Sequence, residues 1–446
     1  MYLLAFKSFI RSRSVIVALV LFLAMGLVSI LIGKQFLEKR LSAQQAVTKL
    51  QKEQIARNAE HIPDQFGLLM YYLRFAYINP TEPVAALAIG QQDVNTSIQY
   101  LTIRGLEAQR YDTDLNNPYQ LQSGNFDLSF VILFLVPLLI IVLCFNLLSQ
   151  EKEAGTWSLV RVQSRQSFSV LWQKLIIRYA TVIVLLAVLL MTAVIIIGIP
   201  ADGKLAAYAL TSVLYVTCWF ALCWLVISLH KSSSMNALLL LSIWVFLCLL
   251  IPAALNNYIT ARYPIKEAYS TFLKQRDGYH TKWDISPDST MKAFFRHYPQ
   301  FKEYVWNSPK FNYMWYYAMQ QSGDDEAAED SRAMFQQLAR RQILSRNAAR
   351  FFPAMQAQLQ FTDIAGTGLQ QHLTYLDSTA LFHERLRLHF YPKIFGDSLV
   401  ATENWQQHIP EYHKAPVKCY TAEIIVPFLI MIATLIIAGK YLFERS

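Results

Sequence analysis

Apolar residues are distributed along this chain in blocks. Stretches with no Asp, Glu, Lys or Arg occupy 14–33, 128–150, 179–201, 205–230, 232–261 and 424–439. Five of them are 20 to 30 residues long. A helix rising 1.5 Å per residue needs roughly 20 apolar residues to cross a bilayer core. The sixth, "IIVPFLIMIATLIIAG", reaches that length with its flanks, Lys440 extending its ammonium toward the interface. The pattern predicts an all-α membrane protein with six spans, at 14–33, 127–149, 176–199, 206–229, 235–255 and 420–443. The first run is longer than a signal-peptide core and is followed by "KQFLEKRL", so it reads as a retained anchor.

Two polar pieces remain between spans, 34–126 and 256–418. "KQFLEKRLSAQQAVTKLQKEQIARNAEHIP" has no Gly or Pro before Pro63 and predicts an outward continuation of the first span. The rest of 34–126 is rich in turn residues and predicts an irregular cap. In 256–418, "DDEAAEDSRAMFQQLARRQILSRNAARFF" carries acids at its start and bases at its end, as a helix prefers. "LTYLDSTALFHERLRLHFYPKIF" predicts a second helix ending near Pro392. Both polar segments are therefore expected to be mainly helical. In 298–319, nine of 22 residues are aromatic. Core or an interfacial belt is the simpler reading, ahead of a ligand-stacking surface.

Charge decides orientation. The head (1–13), the 150–175 loop, the 230–234 turn and the tail fall on one side. With the ends of the adjoining spans they hold eleven Lys/Arg against Glu151, Glu153 and Glu444. The large segments on the other side are close to balanced. Short basic loops stay cytoplasmic, which predicts cytoplasmic termini and two extracytoplasmic segments. The net charge of +9 is thus a topology signal, and no groove-reading motif suggests nucleic acid. The head "MYLLAFKSFIRSRS" has helical amphipathic spacing and suits an interfacial helix. Four of five cysteines lie in apolar runs and the fifth, Cys419, at the edge of one, so no disulfide framework or metal spacing emerges.

Catalytic patterns fail on inspection. "GIPADGKL" (198–205) resembles a phosphate-binding loop, but Leu205 stands where Mg²⁺ coordination needs Ser or Thr. "HERLR" (383–387) has Arg387 where a zinc helix needs its second His. The chain is not expected to be an enzyme, nor to hold a cofactor or metal.

The remaining oddity is "EKEAGTWSLVRVQSRQSF" (151–168), which is charged and Gly-containing between two spans. Glu151, Glu153, Gly155 and Thr156, followed by Leu159, Val160, Ser164 and Lys174, resemble the coupling pattern of ABC-2 type transporter permeases. "PVAALAIGQQDV", "NPYQLQSGNFDLSFVILFLVPLLIIVL" and "DIAGTGLQQH" resemble a subgroup with large extracytoplasmic insertions, similar to copper-enzyme-maturation and gliding-motility permeases. The resemblance implies a bacterial inner-membrane transporter subunit, paired with a second permease and with cytoplasmic ATPase subunits that carry ATP and Mg²⁺, and the absence of a separate binding-protein signature leans to export. It also leaves room for a periplasmic or outer-membrane partner. The alternative is a mechanotransmission subunit that moves external domains without passing a solute. Residues 150–175 form the expected coupling segment. Glu151 and Glu153 favour a helix start, and Gly155 permits a bend or close approach. Trp157, Leu159 and Val160 offer apolar anchors, and Arg161 and Arg165 rim charges. Two positions depart from the pattern: Trp157, where the family has Leu, and Gly368, where it has Asp.

Overall fold

The computed structural model describes residues 7, 9–110, 125–158, 167–304, 311–415 and 421–445. Six helices are long and apolar enough to cross a membrane: α1 (Arg13–His61), α3 (Leu128–Glu153), α4 (Val170–Gly198), α5 (Gly203–Ile227), α6 (Ser233–Arg262) and α12 (Thr421–Arg445). Between α1 and α3 come α2 (Phe66–Tyr72) and strands β1 (Phe75–Ile78) and β2 (Ile98–Leu101). After α6 come α7 (Glu267–His280), α8 (Pro287–His297), α9 (Tyr313–Ala349), α10 (Pro353–Ala365), α11 (Leu369–Phe395) and β3 (Glu411–Tyr412). Of the predicted interfacial head, Leu3 and Phe6 lie outside the described residues. Helical Phe9 is buried, with the Arg178 guanidinium over its ring at 5.6 Å.

The bundle is organised around α5, whose Tyr208, Tyr215, Trp219 and Trp224 are almost fully buried. α1, α4, α6 and α12 instead present Val20, Leu21, Ile195, Leu238, Leu249, Ile430 and Ile437 outward, the side an apolar solvent would cover. Proline shapes the interior. Pro137 has no N–H to give to the Leu133 carbonyl one turn earlier. That carbonyl instead accepts from Tyr215 Oη at 2.7 Å, and the helix loosens to π geometry over Val131–Leu135. A freed backbone group inside a bundle must find such a partner.

α1 runs unbroken for 49 residues, continuing past the first span as the lack of Gly and Pro between Lys34 and Pro63 predicts, and its far half joins the polar module. The module departs from the all-α expectation. It contains a small sheet of order β2-β1-β3, with Phe75 opposite Leu101 and Tyr77 beside Glu411. The run "FAYI" is short and rich in strand formers, and its partners lie 20 and more than 300 residues away. The helix predicted from Asp324 begins earlier, at Tyr313, where Asn312 caps it by accepting from Trp315 N at 2.9 Å. α11 carries Pro392 inside and ends three residues beyond it. The described part of the aromatic stretch is mostly core: Tyr298, Phe301 and Met314–Met319 are buried with Phe294, Phe390 and Tyr391. Residues 305–310 of that stretch lie outside the described residues.

Burial favours the neutral form of His372 and His383 in the module, and of His413 as well. Burial brings the His372 imidazole down to about 4, and pushes His383 well below its ordinary value, with Arg387 adding repulsion. In the unfolded chain both titrate near 6.5. Their folded values are depressed, so the unfolded state takes up protons first as pH falls. The stabilisation is complete above about pH 6.5 and drains away toward pH 4. Thermal unfolding of the full-length protein should therefore fall across that window, with a shallower slope in the His372→Gln variant.

Candidate functional site

Three segments singled out in the sequence meet where the module joins the bundle. The turn Pro83–Leu87 places Val84, Leu87 and Ala88 in the same core as the spans, and α10 adds Ala357, Phe361 and Ile364. Phe361 packs on Tyr208 with ring centroids 4.5 Å apart. Buried Asp127 caps α3, accepting from Phe130 N at 2.7 Å and from Ile89 N at 2.8 Å. Ser129 Oγ donates to the Leu87 carbonyl at 2.8 Å, and Thr367 Oγ1 to that of Ala88. Gly90 sits at φ +55, where a Cβ would lie 2.7 Å from Thr367 Oγ1. "AIG", "FDLS" and "AGTG" are thus one joint, tied by bonds between side chains and backbone groups 38 to 279 residues apart. Gly368 stands beside Asp363, the carboxylate that pairs with Arg346 at 2.6 Å.

The opposite end of the bundle holds residues 151–158 of the segment singled out in the sequence. α3 ends in the turn Ser149–Glu153, and Gly155 follows at φ +70 with nothing near its missing Cβ. Its N–H donates to the Lys152 carbonyl, and Thr156 N to that of Glu151 at 3.0 Å. This is a left-handed helix stop. Of the two roles open to this glycine, bend and close approach, the geometry takes the bend. An L side chain at that φ costs about 1–2 kcal/mol.

Both glutamates face neighbouring spans. Glu151 accepts from Lys174 Nζ of α4 at 2.6 Å and from Thr156 Oγ1 at 2.5 Å. Glu153 accepts from Ser233 N at 2.8 Å and Ser233 Oγ at 2.9 Å, at the start of α6. Ser149 Oγ also meets Ser233 Oγ at 2.7 Å, and Lys152 Nζ meets His230 Nδ1 at 2.7 Å. One short turn is thereby bonded to α4, α6 and the end of α5. Trp157 is half-buried against the bundle core, while Gly155, Thr156 and Ser158 are exposed. Leu159, Val160, Arg161, Ser164 and Arg165 lie outside the described residues. Sequence reading picked out Glu151 and Glu153 but not Ser233, the partner of Glu153, because that pairing spans 80 residues. The only available signal was the Ser-rich opening of the fifth span.

The two catalytic near-misses have structural explanations. In "GIPADGKL", Gly198 (φ +77) ends α4 and Asp202 caps α5, accepting from Leu205 N at 3.0 Å. Lys204 is ion-paired with Glu82. In "HERLR", His383 is buried in the module. Arg387 donates to the Ile103 and Arg104 carbonyls and pairs with Asp324 at 2.8 Å.

Residues 269–414 match a family described as a domain of unknown function (DUF3526). The match covers the module from α7 to β3 and includes none of the spans. No curated protein matches the chain.

Proposed function

We propose that this chain is the membrane-spanning subunit of an ATP-driven ABC-2 type transporter, acting as an exporter. The turn at 149–158 receives motion from a cytoplasmic ATPase partner. The observation that carries this reading is the bonding of that turn to three spans at once. A loop that merely connects α3 to α4 has no need of a carboxylate bonded to the start of α6, nor of a lysine bonded beyond the end of α5. Pressure on the exposed Gly155–Ser158 face reaches α4 through Glu151–Lys174 and α6 through Glu153–Ser233. A second permease copy, identical or related, completes the assembly, and ATP and Mg²⁺ belong to the ATPase. This orientation puts both termini in the cytoplasm and the module outside.

An open apolar cavity of about 720 Å³ supports translocation. It lies between α5, α6 and α12, lined by Cys218, Leu222, Leu247, Pro427 and Met431, with Arg350 and Glu423 at its module end. An apolar body with a charged rim suits an amphiphilic substrate better than a small polar one. The unbroken α1 supports the second reading, mechanotransmission, because it joins span and module without a hinge.

Glu153→Ala is the direct test. In the complex reconstituted with its ATPase, it should leave assembly and basal ATP hydrolysis intact. Coupling of hydrolysis to transport or to module movement should fall by about tenfold or more. Unchanged coupling, or failure of the wild-type chain to co-purify with any ATPase, would overturn the assignment.

A further inference from the structure

Away from the spans and the joint, one side-chain cluster has no part in the reading above. His389 lies on α11 and Lys393 one turn later. Glu403 follows the turn Val400–Thr402, and His408 follows the turn Trp405–Gln407. Both histidines direct Nε2 at the same carboxylate oxygen. His389 Nε2 lies 3.1 Å from Glu403 Oε1, and His408 Nε2 2.7 Å from it. The three donor groups lie within 4.8 Å of one another. Lys393 Nζ sits against the other carboxylate oxygen and 2.8 Å from His389 Nε2.

Two features set this apart from a surface ion pair. The Glu403 side chain is only 5% exposed and His408 14%, whereas His389 is 45% exposed. The cluster is thus built into the module and open on one side. It is also rigidly backed. The His408 ring packs on Phe390 and Trp405 at 5.1 and 5.7 Å, and its carbonyl accepts from Gln51 Nε2 of α1 at 2.8 Å. Gln51 Oε1 in turn accepts from Ala76 N of β1.

We propose that His389, Glu403 and His408 bind a divalent transition-metal ion of the zinc class, which takes the place of the Lys393 ammonium. Two imidazoles and one carboxylate form a ligand set that suits zinc and leaves a fourth position open. With bonds of about 2.1 Å, tetrahedral donors stand about 3.4 Å apart. The observed 3.1 and 2.7 Å are shorter than that spacing by less than about 1 Å, and the two histidine donors lie within 4.8 Å of each other. A cation already occupies this place in the form of Lys393, so the ion and the ammonium compete. Along α11, His383 and His389 are six residues apart and do not share a helical face, so the helix alone offers no ligand pair. The partners of His389 come from the following loop instead. A bound ion would tie α11 to that loop, and through Gln51 to α1.

The test uses the untagged full-length protein in detergent, stripped of metal. Zn²⁺ is titrated calorimetrically, and Co²⁺ by its visible absorption. One ion per chain is expected, with Co²⁺ bands of tetrahedral intensity. His389→Ala and His408→Gln should each weaken binding at least tenfold. Lys393→Met should tighten it at least fivefold, because it removes the competitor and no ligand. Circular dichroism and gel filtration establish that each variant is folded. A wild-type chain that binds no more tightly than the two histidine variants would overturn the proposal. So would weaker binding by Lys393→Met, since the cluster would then be an ion-pair network alone. Should the histidine variants misfold, Lys393→Met and the Co²⁺ spectrum of the wild type still decide between the two.

Discussion

Replacing Arg387 by Met should destabilise the module by about 3–5 kcal/mol, the cost of removing one partner from a buried ion pair. The guanidinium is only 3% exposed and fully engaged. It pairs with Asp324, bonds Gln321, and donates to the carbonyls of Ile103 and Arg104. Burial works against its charge, but Tyr391 and Asp324 outweigh that and hold it protonated above its ordinary range. Without Arg387, Asp324 is left as a buried carboxylate facing only the N–H groups of Leu106 and Glu107. Three remote segments then lose their common anchor. The measurement is the thermal or denaturant midpoint of the full-length protein, followed by tryptophan emission. The double variant Arg387→Met/Asp324→Asn should recover part of the loss, because the orphaned charge is gone. No recovery would mean that the cost arises from lost packing and not from charge.

Gly33→Ala should damage the joint between span and module. A Cβ at that position would lie 2.1 Å from the Ala86 carbonyl oxygen and 3.0 Å from its carbon. The obstacle is backbone, so rotamer changes cannot relieve it. Either α1 moves away from the turn Pro83–Leu87 or the turn shifts. Overpacking of this kind costs typically about 1–3 kcal/mol. The melting temperature of the purified protein reports it. Ala86→Gly on the same chain should not rescue it, since the clashing oxygen stays. Rescue would show that the close approach is made by side chains.

Much of this architecture can be read from residue order alone. Spans follow from runs without charge, and the outward continuation of α1 from the absence of Gly and Pro between Lys34 and Pro63. Gly155 is legible as a point of backbone freedom, although Glu151 and Glu153, which read as a helix start, instead end α3 just ahead of it. These features depend on neighbours within a few residues. What escaped reading depends on groups far apart. Nothing near Glu153 points to Ser233, and nothing near Ala88 points to Thr367. "FAYI" resembles many short apolar runs until Gln99 and Glu411 come alongside it. The same holds for His389, whose sequence neighbours suggest an incomplete zinc helix. Its true companions, Glu403 and His408, sit on a loop with no periodic pattern. Trp157 shows the intermediate case. Its position in the turn was legible, but the lean of its ring against the bundle was not.

The length of α1 has a geometric consequence. Beyond Gly33 the helix continues for 28 residues to His61, about 42 Å of rigid rod. Gly33 is also where the rod passes close against the backbone of the Pro83–Leu87 turn. That contact can therefore act as a fulcrum. A tilt of about 5° there would sweep the far tip by roughly 4 Å. Gln51 and Ile55 lie well along this arm, one bonded to the 398–410 loop and the other packed in the module core. A change in membrane thickness or span angle too small to notice within the bundle would thus be magnified at the module's remote surface.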